Sequence, residues 1–266
     1  MLDAAMTHQP RKRFGQHFLH DPAVIRRIVA AIGPQPGDRL VEIGPGEGAI
    51  TFELLRAVGR LDAVELDRDL VEPLRERSRG VGELLVHGAD ALRFDFCSLT
   101  ATGEKLRLVG NLPYNISTPL LFHLLDQARC IRDMHFMLQK EVVERMAAAP
   151  GGKDYGRLSV MLQARCEVIP LFAVGPGAFR PPPKVDSAVV RLIPLAQPPD
   201  IADPALFARL VAAAFAQRRK TLRNGLKGLL TAEAIAALGI DPGARAEQLP
   251  LADFVRLAGA ACKAAR

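Results

Sequence analysis

Between residues 39 and 138 the sequence repeats one pattern: a short apolar run closing on a glycine or an acid, then a stretch of helical periodicity. The runs cover residues 39–43, 61–66, 84–87, 106–110 and 134–138. Strands that alternate with helices bury both faces in a mostly parallel, doubly wound α/β sheet. Ahead of them, Asp21 offers an N-cap, Pro22 the first helical position, and Val24, Ile25, Ile28, Val29 and Ile32 an apolar stripe ending before Gly33. A helix is expected over 22–32. Two further β-rich stretches, 159–174 and 187–195, flank the proline-dense GPGAFRPPPKVD, which cannot be helical. They are expected to close a seven-stranded sheet as an edge hairpin.

Beyond Gln197-Pro198-Pro199-Asp200 the chain becomes rich in Ala and Leu, with helix starts at Asp203-Pro204, Thr231 and Asp241-Pro242. The expected division is a catalytic domain over 1–196 and a small all-helical domain over 197–266. At 49% hydrophobic and 24% charged residues, the 266-residue chain reads as globular. It holds no apolar run of the roughly 18 residues a membrane helix needs. No apolar stretch follows Arg11, Lys12 and Arg13 as a secretory leader would require, so a cytoplasmic location without membrane contact is expected. Cys97, Cys130, Cys166 and Cys262 form no CxxC pair, and reduced thiols are expected. His17 and His20 share a helical spacing without a third ligand nearby, so no metal is expected. The net charge of +6 favours a polyanionic partner.

The first run continues into EIGPGEG, where Gly44, Gly46 and Gly48 allow a tight turn into the next helix with a ligand against the backbone. Any strand-to-helix turn can look like this, and a dinucleotide site would use a similar GxGxxG. Glu47 at the mouth of the loop would repel a pyrophosphate but tolerate a sulfonium. The second run ends in AVELDRD, placing Glu65 about twenty residues past Gly44, where a carboxylate can hold both ribose hydroxyls. The third ends at Asp90, which can accept from the amino group of an adenine. Three such groups at successive strand ends suit S-adenosylmethionine better than NAD.

After the fourth run comes Asn111-Leu112-Pro113-Tyr114. The lone pair of an adenine amino group is delocalised into the ring. An Asn111 side-chain oxygen and a neighbouring carbonyl held outward by Pro113 can orient that NH₂ towards a methyl donor without a strong base. Tyr114 can stack on a base drawn out of its own stack. An Asn-Pro turn with a half-buried tyrosine is the plain alternative.

These strings, with RKRFGQHFL, MHFMLQKEVVERM, YGRLSVMLQ, FRPPPKVDSAVVRL and QRRKTLRN, closely resemble the ribosomal RNA adenine N6-dimethyltransferase family over nearly the whole chain. The likeness is strongest to members acting on bacterial small-subunit (16S) rRNA. It implies a class I, Rossmann-like methyltransferase fold, cofactor contacts at His17, Leu19, Gly44, Gly46, Glu65, Asp90 and Asn111, catalysis by Asn111 to Tyr114, and Phe179 as a second aromatic against the target base. The implied reaction dimethylates two adjacent adenosines near the 3′ end of that RNA during subunit biogenesis. Where this chain has His17 the family usually has asparagine, so the contact there is expected to differ, and packing at the first helix is an equal reading. Phe179, without the resemblance, reads as a core residue.

Arg218, Arg219, Lys220, Arg223 and Lys227 crowd a span without acids. A solvated helix face is the usual meaning of such a run. With Arg11, Lys12 and Arg13 at the other end of the chain, phosphate contact is the expectation here, and Lys184 beside Phe179 is expected near the nucleotide backbone. Two other readings remain open: a large-subunit rRNA adenine methyltransferase, and a mainly non-catalytic ribosome-assembly factor. No amphipathic seam demands a dimer, so a monomer is expected.

Overall fold

A computed structural model describes residues 17–101, 103–217 and 219–264. Arg11, Lys12, Arg13 and Arg218, expected at the RNA, lie outside the described residues. The strands are β1 (Phe18–Leu19), β2 (Arg39–Ile43), β3 (Arg60–Glu65), β4 (Glu83–Gly88), β5 (Leu106–Asn111), β6 (Ile131–Gln139), β7 (Cys166–Val174), β8 (Phe179–Arg180) and β9 (Ser187–Pro194). The helices are α1 (Pro22–Ile32), α2 (Thr51–Val58), α3 (Arg68–Ser78), α4 (Ser117–Asp126), α5 (Lys140–Ala147), α6 (Arg157–Gln163), α7 (Pro204–Phe215), α8 (Leu222–Gly225), α9 (Ala232–Ala237) and α10 (Leu251–Ala264).

Seven strands make one sheet in the order β4-β3-β2-β5-β6-β9-β7. The pairs from β4 through to β6 are parallel, and β9 runs antiparallel to β6. The five expected runs and the closing edge hairpin are all present. β2 and β5 are buried along nearly their whole length, as strands covered on both faces must be. Winding proceeds from β2 outward in both directions, which leaves a crevice above the carboxyl ends of β2 and β5.

α1 forms as its sequence demands: the Asp21 carboxylate accepts from Ala23 N at 2.8 Å, and Gly33 ends the helix in the left-handed region at φ 56°. Arg107 fixes that end to the sheet, donating to the Ile32 carbonyl (2.6 Å), Asp38 (2.6 Å) and Asp133 (3.0 Å). Burial raises the Asp38 carboxyl, but the Gln35 backbone N–H and the Arg107 guanidinium outweigh it and hold the pKa below the usual value.

Two compact units emerge. One holds the described residues up to Val143 with Ile169–Pro194; the other joins Glu144–Val168 to the described residues from Leu195 onward. Within the second, Tyr155, Val160, Phe207, Leu210, Phe254 and Leu257 share a core, and the Tyr155 hydroxyl donates to the Leu249 carbonyl at 3.0 Å.

Three expectations need correction. Residues 159–163, expected as strand, belong to the helix α6, because Val160 and Ala164, one turn apart, both enter that core and Ser159 Oγ accepts from Gly156 N at 3.1 Å to start the helix. Asp241-Pro242 opens a turn and not a helix: Asp241 Oδ1 accepts from Gly243 N (2.8 Å), and the Pro242 carbonyl accepts from Arg223 N (3.0 Å). Cys97 and Cys130, expected as free thiols, are joined as a disulfide. The Gln127 side chain draws their segments together, its Oε1 accepting from Phe96 N at 2.7 Å and its Nε2 donating to the Phe94 carbonyl at 3.0 Å. Cys166 is free and buried, its thiol pushed up to about 12 by desolvation.

Candidate active site

The crevice between the ends of β2 and β5 opens into a cavity of about 360 Å³, within the size range of small-molecule sites. Its wall contains His17, Leu19, Gly44, Gly46, Glu65, Asp90, Asn111, Leu112, Pro113 and Tyr114. Residues spread over nearly a hundred positions thus meet in one place because β2, β3, β4 and β5 end on the same edge of the sheet, where Phe18 of β1 stands against Gly46.

The glycine loop leaves β2 with Gly44 at φ 67° and Gly46 at φ 57°, conformations that favour residues without a Cβ. Gly44 N donates to the Val64 carbonyl at 2.9 Å, stitching the loop to β3. At Gly46 a Cβ would also stand 3.1 Å from the Phe18 ring. Glu65 is buried, and each carboxylate oxygen accepts one backbone N–H, Oε2 from Gly46 (3.1 Å) and Oε1 from Asp67 (2.8 Å). A carboxylate has about four lone-pair sites, so each oxygen keeps one for a hydroxyl donor. Desolvation raises its pKa, opposed by those backbone donors. Asp90 Oδ1 accepts from Leu92 N at 3.0 Å, which sets the carboxyl at the cavity wall. An acid with one acceptor site per oxygen, a second acid at the next strand end and a glycine turn between fit the ribose, adenine and chain of S-adenosylmethionine.

The Asn111 amide is oriented without ambiguity: Nδ2 donates to the His17 carbonyl at 2.9 Å, so the side-chain oxygen is the atom left for a substrate donor. Leu112 N donates to the Met137 carbonyl (3.2 Å), and the Pro113 carbonyl accepts from Ile116 N (3.2 Å), which fixes the loop. The Tyr114 hydroxyl meets Ser187 Oγ at 2.7 Å. Its ring stacks with His17 at 5.7 Å between centroids, and His17 Nδ1 donates to the Pro181 carbonyl at 2.7 Å.

Phe179 is not brought to the cavity. It is 2% exposed, pairs with Leu19 across β1 and β8, and packs with Ile28 and Ile50. Lys184 is exposed and outside the cavity wall, as are Arg219, Lys220, Arg223 and Lys227. Sequence reasoning missed Glu42 and His135. Both line the cavity, since Glu42 pairs with Val109 and Val109 with His135 across three adjacent strands, which puts all three side chains on one sheet face. Leu66, 50% exposed at the cavity wall, was legible only as a strand end.

The fold and this site define a class I S-adenosylmethionine-dependent methyltransferase. Residues 7–262 match the family model described as ribosomal RNA adenine dimethylase, and the chain belongs to that family. It is 63% identical to the ribosomal RNA small subunit methyltransferase A of Methylococcus capsulatus, over 95% of this chain and 98% of that one. It is 62% identical to the protein of the same name from Pseudomonas aeruginosa, over 94% of each. Among solved structures it resembles a dimethyladenosine transferase from Plasmodium falciparum (TM-score 0.78, 26% identity, 91% of this chain and 96% of that one). It also resembles the 23S rRNA methyltransferase ErmE (TM-score 0.69, 28% identity, 91% and 98%). No helix among the described residues is long and apolar enough to cross a membrane.

Proposed function

We propose that this chain dimethylates the N6 amino groups of two adjacent adenosines near the 3′ end of 16S rRNA, in the small ribosomal subunit or its precursor, in the cytoplasm. The observation that carries the reading is the fixed Asn111 amide at the head of the NLPY loop. With Nδ2 committed to His17, its oxygen and the Leu112 carbonyl accept from the two N–H groups of an adenine amino group and aim the nitrogen lone pair into the cavity. Bound S-adenosylmethionine supplies an electrophilic methyl group on a sulfonium. Tyr114 stacks on the extruded base, while Glu65 and Asp90 hold the ribose and adenine of the cofactor. Positioning of this kind needs no strong base, in keeping with a loop that carries none. The two relatives above 60% identity, both small-subunit enzymes by name, support 16S over 23S rRNA.

Purified protein should transfer labelled methyl groups to unmodified small subunits, and digestion should yield N6,N6-dimethyladenosine. The Asn111→Ala variant should lose most of this activity while keeping its circular dichroism spectrum. Label entering 23S rRNA in preference, or no transfer at all, would sink the reading.

A further inference from the structure

The hydroxyl of Tyr114 is not needed for stacking, yet it is engaged. It lies 2.7 Å from the hydroxyl of Ser187, the first residue of β9. Ser187 is wholly buried and outside the cavity wall, so it meets neither cofactor nor base. Its position is fixed by the sheet, in register with Gln139 of β6, and next to it the Asp186 carbonyl accepts from Lys140 N at 2.9 Å. The other ring of the site is tied to the same segment, His17 Nδ1 donating to the Pro181 carbonyl. The proline-dense loop between β8 and β9 therefore grips both rings, one at each end. The 5.7 Å between His17 and Tyr114 is a direct ring-pair separation, so His17 covers one face of Tyr114 and a base has the opposite face.

We infer that Ser187 is a positioning residue for methyl transfer: through its hydroxyl it anchors the far end of the Tyr114 ring, and so the place at which the stacked adenine presents N6. This rests on the proposed rRNA adenine methylation. The phenol oxygen lies on the axis of the ring, so a bond there fixes the direction in which the ring points, while His17 against one face restrains its plane, and a stacked base takes its place from the ring beneath it. A displaced ring leaves the cofactor pocket intact while lowering the fraction of bound adenines aligned for transfer.

The test is a double-mutant cycle of Ser187→Ala and Tyr114→Phe, read as kcat and KM for small subunits, with cofactor binding by calorimetry and folding by circular dichroism. Each single variant should lower kcat by roughly two- to tenfold, the effect of one hydrogen bond, with cofactor affinity unchanged. The double variant should be no worse than either single one, because both remove the same hydrogen bond. Losses that multiply in the double variant would overturn the inference, as would wild-type kcat in either single variant, or loss of fold or cofactor binding in Ser187→Ala. A wild-type protein that methylates no rRNA brings down the proposed function and this inference with it. Active wild type with indifferent variants brings down the inference alone.

Discussion

Glu42 stands where an ionised acid is costly. It is 1% exposed, and its Oε2, like Thr51 Oγ1, has no hydrogen-bond partner among the described residues. Burial pushes its pKa up to about 8, with the nearby Glu65 carboxylate adding to the rise. The folded state therefore keeps a proton that the unfolded chain releases near the ordinary value of 4.5. Stability from this group is complete below that value and is lost as the pH climbs towards about 8. Glu42→Gln, which imitates the neutral acid, should melt close to wild type near about pH 5 and progressively above it towards about pH 8. A melting-temperature gap that stays flat across that range would show that Glu42 is ionised in the fold. None of this is legible in the sequence. Gly44, Glu65, Asp90 and Asn111 stand out there because a ligand demands those residue types at strand ends. What surrounds Glu42, His135 and Ser187 depends on the register of strands far apart in the chain, to which local pattern is blind.

The pairing of β2 with β5 sets the width of the crevice, and Gly110 permits it. A Cβ at Gly110 would come 2.4 Å from the Ile43 carbonyl oxygen, a backbone atom that cannot swing aside, and 3.2 Å from Leu112. Gly110→Ala should cost about 1–3 kcal/mol by overpacking and should weaken cofactor binding, since the strands that part carry Gly44 and Asn111 at their tips. Gly175→Ala, at φ −73° with nothing within 4 Å of the added carbon, is the control and should leave both unchanged. Denaturant unfolding and calorimetry read the two effects, and a silent Gly110→Ala would show that the strands adjust without penalty. Elements with a cap and a period of their own, such as α1 and α7, are readable from sequence. α6 is not, because LSVMLQ carries apolar residues in a density that suits strand or helix, and only the core it enters decides. The Cys97–Cys130 link is equally hidden, since it depends on Gln127 bringing two turns together.

At the scale of the whole molecule, the exposed cations Arg219, Lys220, Arg223 and Lys227 belong to the second compact unit and the residues of the cavity wall to the first. Changing Lys220, Arg223 and Lys227 to Gln should leave S-adenosylmethionine affinity untouched and lower affinity for the small subunit. The slope of log K against log salt should become shallower by about 0.7–0.9 for each phosphate no longer neutralised. An unchanged slope with unchanged affinity would make these side chains a solvated surface. The strand order carries a consequence for how this protein comes into being. β3 and β4 lie between β2 and β5 in the chain but on the far side of β2 in the sheet, so the cavity cannot exist until a loop of some sixty residues has folded back on itself. Pairings this distant form slowly, and a chain emerging from synthesis has no cofactor site until β5 and the loop beyond it are free. S-adenosylmethionine then recognises a finished topology rather than guiding one: it slows unfolding and protects the completed sheet, and it leaves the rate of first folding where the chain connectivity sets it.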